Sequence, residues 1–165
     1  MRLAAHVVLL LLCLAALPGA AQAPPERWRF TLGDGEWKLV QPDMDAPAGE
    51  QIYVRPGENA YFWTERITSG YKVGGASLDD YAKAFTDELL ERCRPLKVSP
   101  VMHSPASVIF QWEGDCRVVG PQFEYRRVAS VRSGVHYLAY ASKPSRLTPE
   151  KKEAWLAVIR NATLK

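Results

Sequence analysis

This chain is poor in the residues that usually announce chemistry: it has three cysteines, three histidines and three methionines in 165 residues. It contains no Cys-x-x-Cys pair, no His-x-x-x-His spacing and no Cys/His cluster. A zinc site, which needs three or four ligands, and a redox dithiol are therefore not expected. No Gly-x-Ser-x-Gly elbow marks a hydrolase nucleophile. Charge of one sign is also missing: 21 basic residues stand against 18 acidic ones, a formal net of +3. That balance argues against the concentrated basic face of a nucleic-acid binder. Repeats and low-complexity tracts are absent, and a composition of 47% hydrophobic and 24% charged residues is that of an ordinary globular domain. No catalytic residue, cofactor or metal is assigned on these grounds.

What is present begins with one long apolar run. Arg2 precedes it, Val7–Leu17 forms it, Pro18-Gly19 breaks it, and Ala21-Gln22-Ala23 offers a small-residue cleavage site. Residues 1–23 thus read as a secretory signal peptide. The run is about half the length that spans a bilayer as a helix, so a transmembrane anchor is not expected. Residues 24–165 then form a single domain, large enough to bury a real core, in the periplasm or outside the cell. Disulfides persist there. Cys13 belongs to the signal, and Leu12 before it is not the small residue of a lipoprotein acceptor. Cys93 and Cys116 remain as one possible pair, expected as a structural disulfide.

Short strands are expected at Trp28–Phe30, Trp37–Gln41 and Gln51–Arg55, with a loop over Asp43–Gly49. Tyr61–Ser69 is the most strongly β-like stretch of the first half, with Tyr61, Trp63, Glu65 and Ile67 on one face. The period then changes. Leu78, Tyr81, Ala82, Phe85 and Leu89 recur at helical spacing behind a Ser77/Asp80 start, and Pro95 ends the helix. Ser107–Glu113 is the next expected strand, with Gly114-Asp115-Cys116 as a turn region after it. Gln122–Val131 and Val135–Ser142 flank Arg132-Ser133-Gly134, read as a three-residue hairpin loop. Thr148-Pro149 opens a last helix carrying the stripe Trp155, Val158, Ile159 and Ala162. The order predicts an α+β fold, a mostly antiparallel β-sheet with two amphipathic helices packed on it.

Glu65 is the first candidate for chemistry, because alternation places its carboxylate on an apolar face. An unpaired charge there costs several kcal/mol, roughly, so it needs a cation, a strand end open to water, or a pocket that perturbs it. Arg127, sharing a face with Tyr125, Ala129 and Tyr137, is the candidate partner. His103-Ser104 falls in an expected loop between Pro100 and Pro105, and hydrolysis through Glu65 or His103 is the alternative function. The pairs Arg126-Arg127 and Lys151-Lys152 read as solvated surface. Gly74-Gly75 before the first helix reads as a flexible connection. Tyr61, Phe62 and Trp63 put aromatics on both strand faces, one of which is a candidate binding surface.

At Trp63-Thr64-Glu65, with Ile67-Thr68, Cys93, Cys116, Glu124-Tyr125 and Trp155, the chain resembles a group of small exported proteobacterial proteins of uncharacterised function. Its strand–helix order also resembles the PsbP-like α/β/α sandwich. That fold serves photosystem accessory subunits, a Ran-binding transport factor and envelope lipoproteins, so it implies no single activity. The resemblance implies a non-catalytic binding or accessory role, with an envelope protein or a small ligand as partner. A secreted effector is the remaining alternative.

Overall fold

The computed structural model describes residues 26–40, 49–56, 63–72 and 77–165. The expected signal segment, residues 43–48, Tyr61, Phe62 and Gly74-Gly75 lie outside these. In chain order the elements are β1 (Trp28–Arg29), β2 (Lys38–Val40), β3 (Gln51–Pro56), β4 (Trp63–Lys72), α1 (Leu78–Arg92), β5 (Cys93–Ser104), β6 (Ser107–Cys116), β7 (Gly120–Val131), β8 (Gly134–Ser142), α2 (Pro149–Asn161) and β9 (Thr163–Leu164). Seven strands form one sheet in the order β2-β3-β4-β8-β7-β6-β5, each antiparallel to its neighbours. The α+β class expected from the sequence is the one found.

The two helices take opposite faces of this sheet. Val108, Phe110 and Trp112 of β6 pack with Val128, Val135 and the α1 residues Tyr81, Phe85 and Leu89. Their alternates Ile109, Phe123, Tyr125, Leu138 and Tyr140 pack with Trp155, Leu156 and Ile159 of α2. Strand β8 is covered on both sides from Val135 to Ser142, which makes it the centre of the molecule. At Gly70 of β4 the Tyr137 ring comes so close that a Cβ there would lie 2.5 Å from its hydroxyl. Glycine lets that ring lie flat over the neighbouring strand.

Helix α1 begins as its sequence indicates. Asp80 N donates to Ser77 Oγ at 3.1 Å and Ser77 N donates to an Asp80 carboxylate oxygen at 3.2 Å, a complete capping box. The Ser77 hydroxyl, which donates to the same carboxylate at 2.8 Å, and the Ser77 N–H hold the Asp80 carboxyl below the usual carboxylate range. Helix α2 starts at Thr148, whose hydroxyl accepts from Lys151 N at 3.3 Å, with Pro149 in the first turn.

Three expectations are corrected. The Pro100–Pro105 region is not a loop through His103-Ser104, because β5 runs unbroken to Ser104 as an edge strand. Proline is tolerated at an edge, where its missing N–H interrupts no ladder. Gly114-Asp115-Cys116 is strand rather than turn, pairing with Gly120–Gln122. The last hairpin has two loop residues, Arg132-Ser133, since Gly134 already pairs with Val131 while keeping its positive φ of 136°. The short β9 was not foreseen. It pairs with β1 to make a separate two-stranded ribbon, extended by Arg27 N to Lys165 O at 2.7 Å.

The Cys93–Cys116 disulfide is formed, between residues that directly oppose each other on β5 and β6. Cys93 also closes α1, its N–H donating to Leu89 O. The bond thus locks the end of that helix to the sheet edge. With a sequence separation of 23, it contributes about 3 kcal/mol through loop closure. Reducing it, or replacing both cysteines by serine, should lower unfolding stability by about that amount in a urea titration without changing the far-ultraviolet circular dichroism of the native state.

Candidate functional site

Glu65 and Arg127, the pair expected to meet, do not. Glu65 opposes Ser142 on β8, which in turn opposes Phe123 on β7. Arg127 lies four residues further along β7, about 13 Å away at the usual rise per residue. Alternation had fixed the face of each residue but not its register. Both side chains do point to the α2 side, whereas Tyr137, expected beside Arg127, lies on the α1 side opposite Val128.

Each of the two residues fastens one end of α2. The Glu65 side chain is 2% exposed and meets Arg55 Nη1 at 3.2 Å and Lys151 Nζ at 3.0 Å. The Tyr140 hydroxyl also donates to it. Burial pushes the Tyr140 phenol well above its usual pKa, and the Glu65 carboxylate pushes it further, so it remains a donor. Trp155 of α2 stacks on Tyr140 at 4.2 Å, and Arg55 lies over Trp37. At the other end, the Arg127 guanidinium donates to the carbonyls of Ile159, Arg160 and Ala162 at 3.2, 2.8 and 2.8 Å. These are the carbonyls that a helix leaves unpaired at its C-terminus, where its dipole also favours a cation. Arg127 is oriented by Ser107 Oγ at 3.0 Å and covers the Trp28 ring.

The two basic pairs expected at the surface are partly internal. Arg126 is buried beneath α1, bonded to Glu124 at 2.6 Å and to the Tyr81 hydroxyl at 2.9 Å, with Phe85 and Tyr137 against its guanidinium. Burial works against its charge, but Glu124 and Tyr81 outweigh that and raise its pKa above the ordinary guanidinium value. Lys151 is spent on Glu65, and Lys152 lies half-buried over the Phe123 ring at 4.5 Å. A sheet covered on both faces leaves little room for solvated strand positions, which is why the Arg126-Arg127 doublet is drawn inward, while Lys151 and Lys152 reach the sheet from the first turn of α2.

Trp63 also departs from its expected face. The register jumps from Arg55↔Glu65 to Pro56↔Trp63, so Thr64 is an extra residue that reverses alternation. Trp63 accordingly sits under the Arg66 guanidinium, 4.8 Å from it, on the side away from Glu65. Among the described residues Arg66 has no ion-pair partner. Tyr61 and Phe62 lie outside the described residues. His103 is exposed on β5, and Ser104 Oγ is occupied at Ser107, donating to its carbonyl and accepting from its N–H, so the two form no nucleophile–base pair. An open groove of about 460 Å³ runs between Arg29–Thr31 and the outer face of α2 at Ala157, Val158 and Asn161. Among the described residues there is no group of three or more metal-ligating side chains, and no helix is long and apolar enough to cross a membrane.

The chemistry of these clusters is that of charge neutralisation. Glu65 and Glu124 each accept from a cation, and Glu65 also accepts from a phenol. Both carboxylates are buried, each 2% exposed. Sequence reasoning missed Arg55, Lys151 and Glu124 as partners, although the charge of Glu65 on an apolar face signalled that cations had to converge on it.

No family model matches the chain, and no curated protein matches it. Among solved structures, a Pseudomonas aeruginosa protein of unknown function, described as a candidate regulator, is similar with a TM-score of 0.52. The likeness covers 77% of this chain and 96% of that one at 14% sequence identity, which establishes a shared fold and nothing of activity.

Replacing Arg126 by methionine leaves Glu124 buried without its cation and should destabilise the protein by about 3–5 kcal/mol. Adding Glu124→Gln should recover much of that loss. Urea unfolding of the single and double variants measures both.

Proposed function

We propose that this protein is an exported, disulfide-stapled binding or accessory component of the bacterial envelope. The observation that carries this reading is the Cys93–Cys116 bond, joining two register-paired strands in a chain headed by a signal-like segment. Such a bond persists in an oxidising compartment and is rare in the cytosol. A binding role is supported by how the internal charges are used. The catalytic candidate Glu65 is held by Arg55 and by Lys151 of α2, and Glu124 neutralises the Arg126 that bonds Tyr81 of α1. The resemblance of the Trp63-Thr64-Glu65 segment and its two following cysteines to small exported proteins supports the same reading. A candidate regulator on a similar fold fits a binding role as well. The partner is an envelope protein or a small ligand, and the Trp63–Arg66 pair and the groove beside α2 are the surfaces to map first.

Expression of the full chain with a C-terminal tag in a Gram-negative host tests the address. The protein is expected in the periplasmic fraction, with a mass that begins at Pro24 and with cysteines that react with maleimide only after reduction. Recovery in the cytosol with residues 1–23 attached and free thiols would contradict it.

A further inference from the structure

The first described residues are held down by an arrangement separate from the charge clusters at α2 and α1. His136 on β8 is 1% exposed, and Tyr71 of β4 stacks against its ring at 5.5 Å. Its Nε2 lies 2.8 Å from Ser133 Oγ, in the two-residue turn that leads into the same strand. The Ser133 hydroxyl in turn donates to the carboxylate of Glu26, immediately ahead of β1. A carboxylate can only accept, so the serine proton belongs to Glu26 and Ser133 must accept from Nε2–H. The relay therefore runs from His136 to Ser133 to Glu26. Ser133 is not activated as a nucleophile by this geometry, because the histidine nitrogen facing it carries the proton. The adjoining cavity, about 20 Å³, is too small for a ligand.

What the relay joins is the N-terminal segment and the sheet. Glu26 precedes β1, whose own ladder to β9 has two residue pairs, supplemented by the Arg27–Lys165 backbone bonds. Trp28 adds a buried ring covered by Arg127. We propose that Glu26, Ser133 and His136 form an acid-sensitive clasp that fastens β1 to the sheet at neutral pH and loosens it as the pH falls.

The physical reason is the cost of charging a ring enclosed on both sides. Among the described residues, the charged and titratable groups around it are Glu26, 3.9 Å from Nε2, Arg132 in the turn, Tyr71 against the ring and Arg27 along the same cavity. Burial lowers the His136 pKa, and Glu26 offsets this only in part. The sign follows. A histidine whose folded pKa lies below its unfolded value of 6.5 contributes full stability above that pH and loses it as pH falls through the interval below. Local opening of β1 is the least disruptive way to hydrate the ring, because Glu26 lies against it immediately ahead of β1, whose ladder has two residue pairs. Each unit of pKa depression corresponds to about a tenfold rise in the open population. Trp28 stays buried in the majority species, so acid increases opening without detaching the strand outright.

Hydrogen exchange of the oxidised protein at pH 7.5 and pH 5.0, corrected for intrinsic exchange rates, reads this directly. The peptide over residues 26–32 should lose protection several-fold at pH 5.0, while peptides from β6 to β8 do not. His136→Gln keeps a donor at the position and should remove that pH dependence. Ser133→Ala should loosen the same peptide already at pH 7.5. Equal protection of the native chain at both pH values would overturn the clasp, as would a pH dependence that survives His136→Gln. The His136 ring proton, followed by nuclear magnetic resonance in the unaltered protein, must titrate below pH 6.5. A midpoint at or above 6.5 would overturn the proposal without recourse to a variant.

Discussion

Helix α2 is fastened to the sheet at both ends by charge. At its start Lys151 meets the buried Glu65 carboxylate, which Arg55 and Tyr140 also engage. At its end Arg127 reaches up from β7 and takes three terminal carbonyls. Between these points the apolar stripe of Trp155, Leu156 and Ile159 fills the core over Tyr140 and Leu138. Hydrophobic burial supplies the drive but is indifferent to sliding. The two charged contacts fix the helix along its axis, because a shift of one turn would part Lys151 from the buried Glu65 carboxylate and Arg127 from the terminal carbonyls. The position of β9, and through it β1, follows from where α2 ends.

The same logic repeats on the other face. Arg126, neutralised by Glu124 and bonded to Tyr81, sits beneath α1, while the disulfide holds that helix where it runs into β5. Buried charge here makes each helix belong to one place on the sheet. Glu65, Arg126 and Arg127 are thus spent on holding the two helices against the sheet.

How far the sequence foretold this depended on which kind of pattern carried the information. Amphipathic period and capping residues placed α1 and α2 within about a residue of their observed ends, because both signals are local. Cys93 and Cys116 were legible as a pair by elimination. Edge strand β5 was not, since prolines and a weak alternation read as a loop unless one knows that its outer side is unpaired. The two-residue β9 leaves no periodic trace at all. The partner of Glu65 was out of reach for a deeper reason. Alternation assigns a face, whereas pairing depends on register across three strands and on the extra residue at Thr64. The same bulge moved Trp63 to the side opposite Glu65. Arg126 read as solvated because a β-strand doublet gives no sign that both faces of the sheet are covered.

Double-mutant cycles measured by urea unfolding test the fastening of α2 most directly. Glu65→Gln combined with Lys151→Met should show a coupling of about 1–3 kcal/mol, whereas Glu65→Gln combined with Arg127→Met should add within about 0.5 kcal/mol. Additivity in the first cycle together with strong coupling in the second would contradict the separate clamps and restore a direct Glu65–Arg127 interaction.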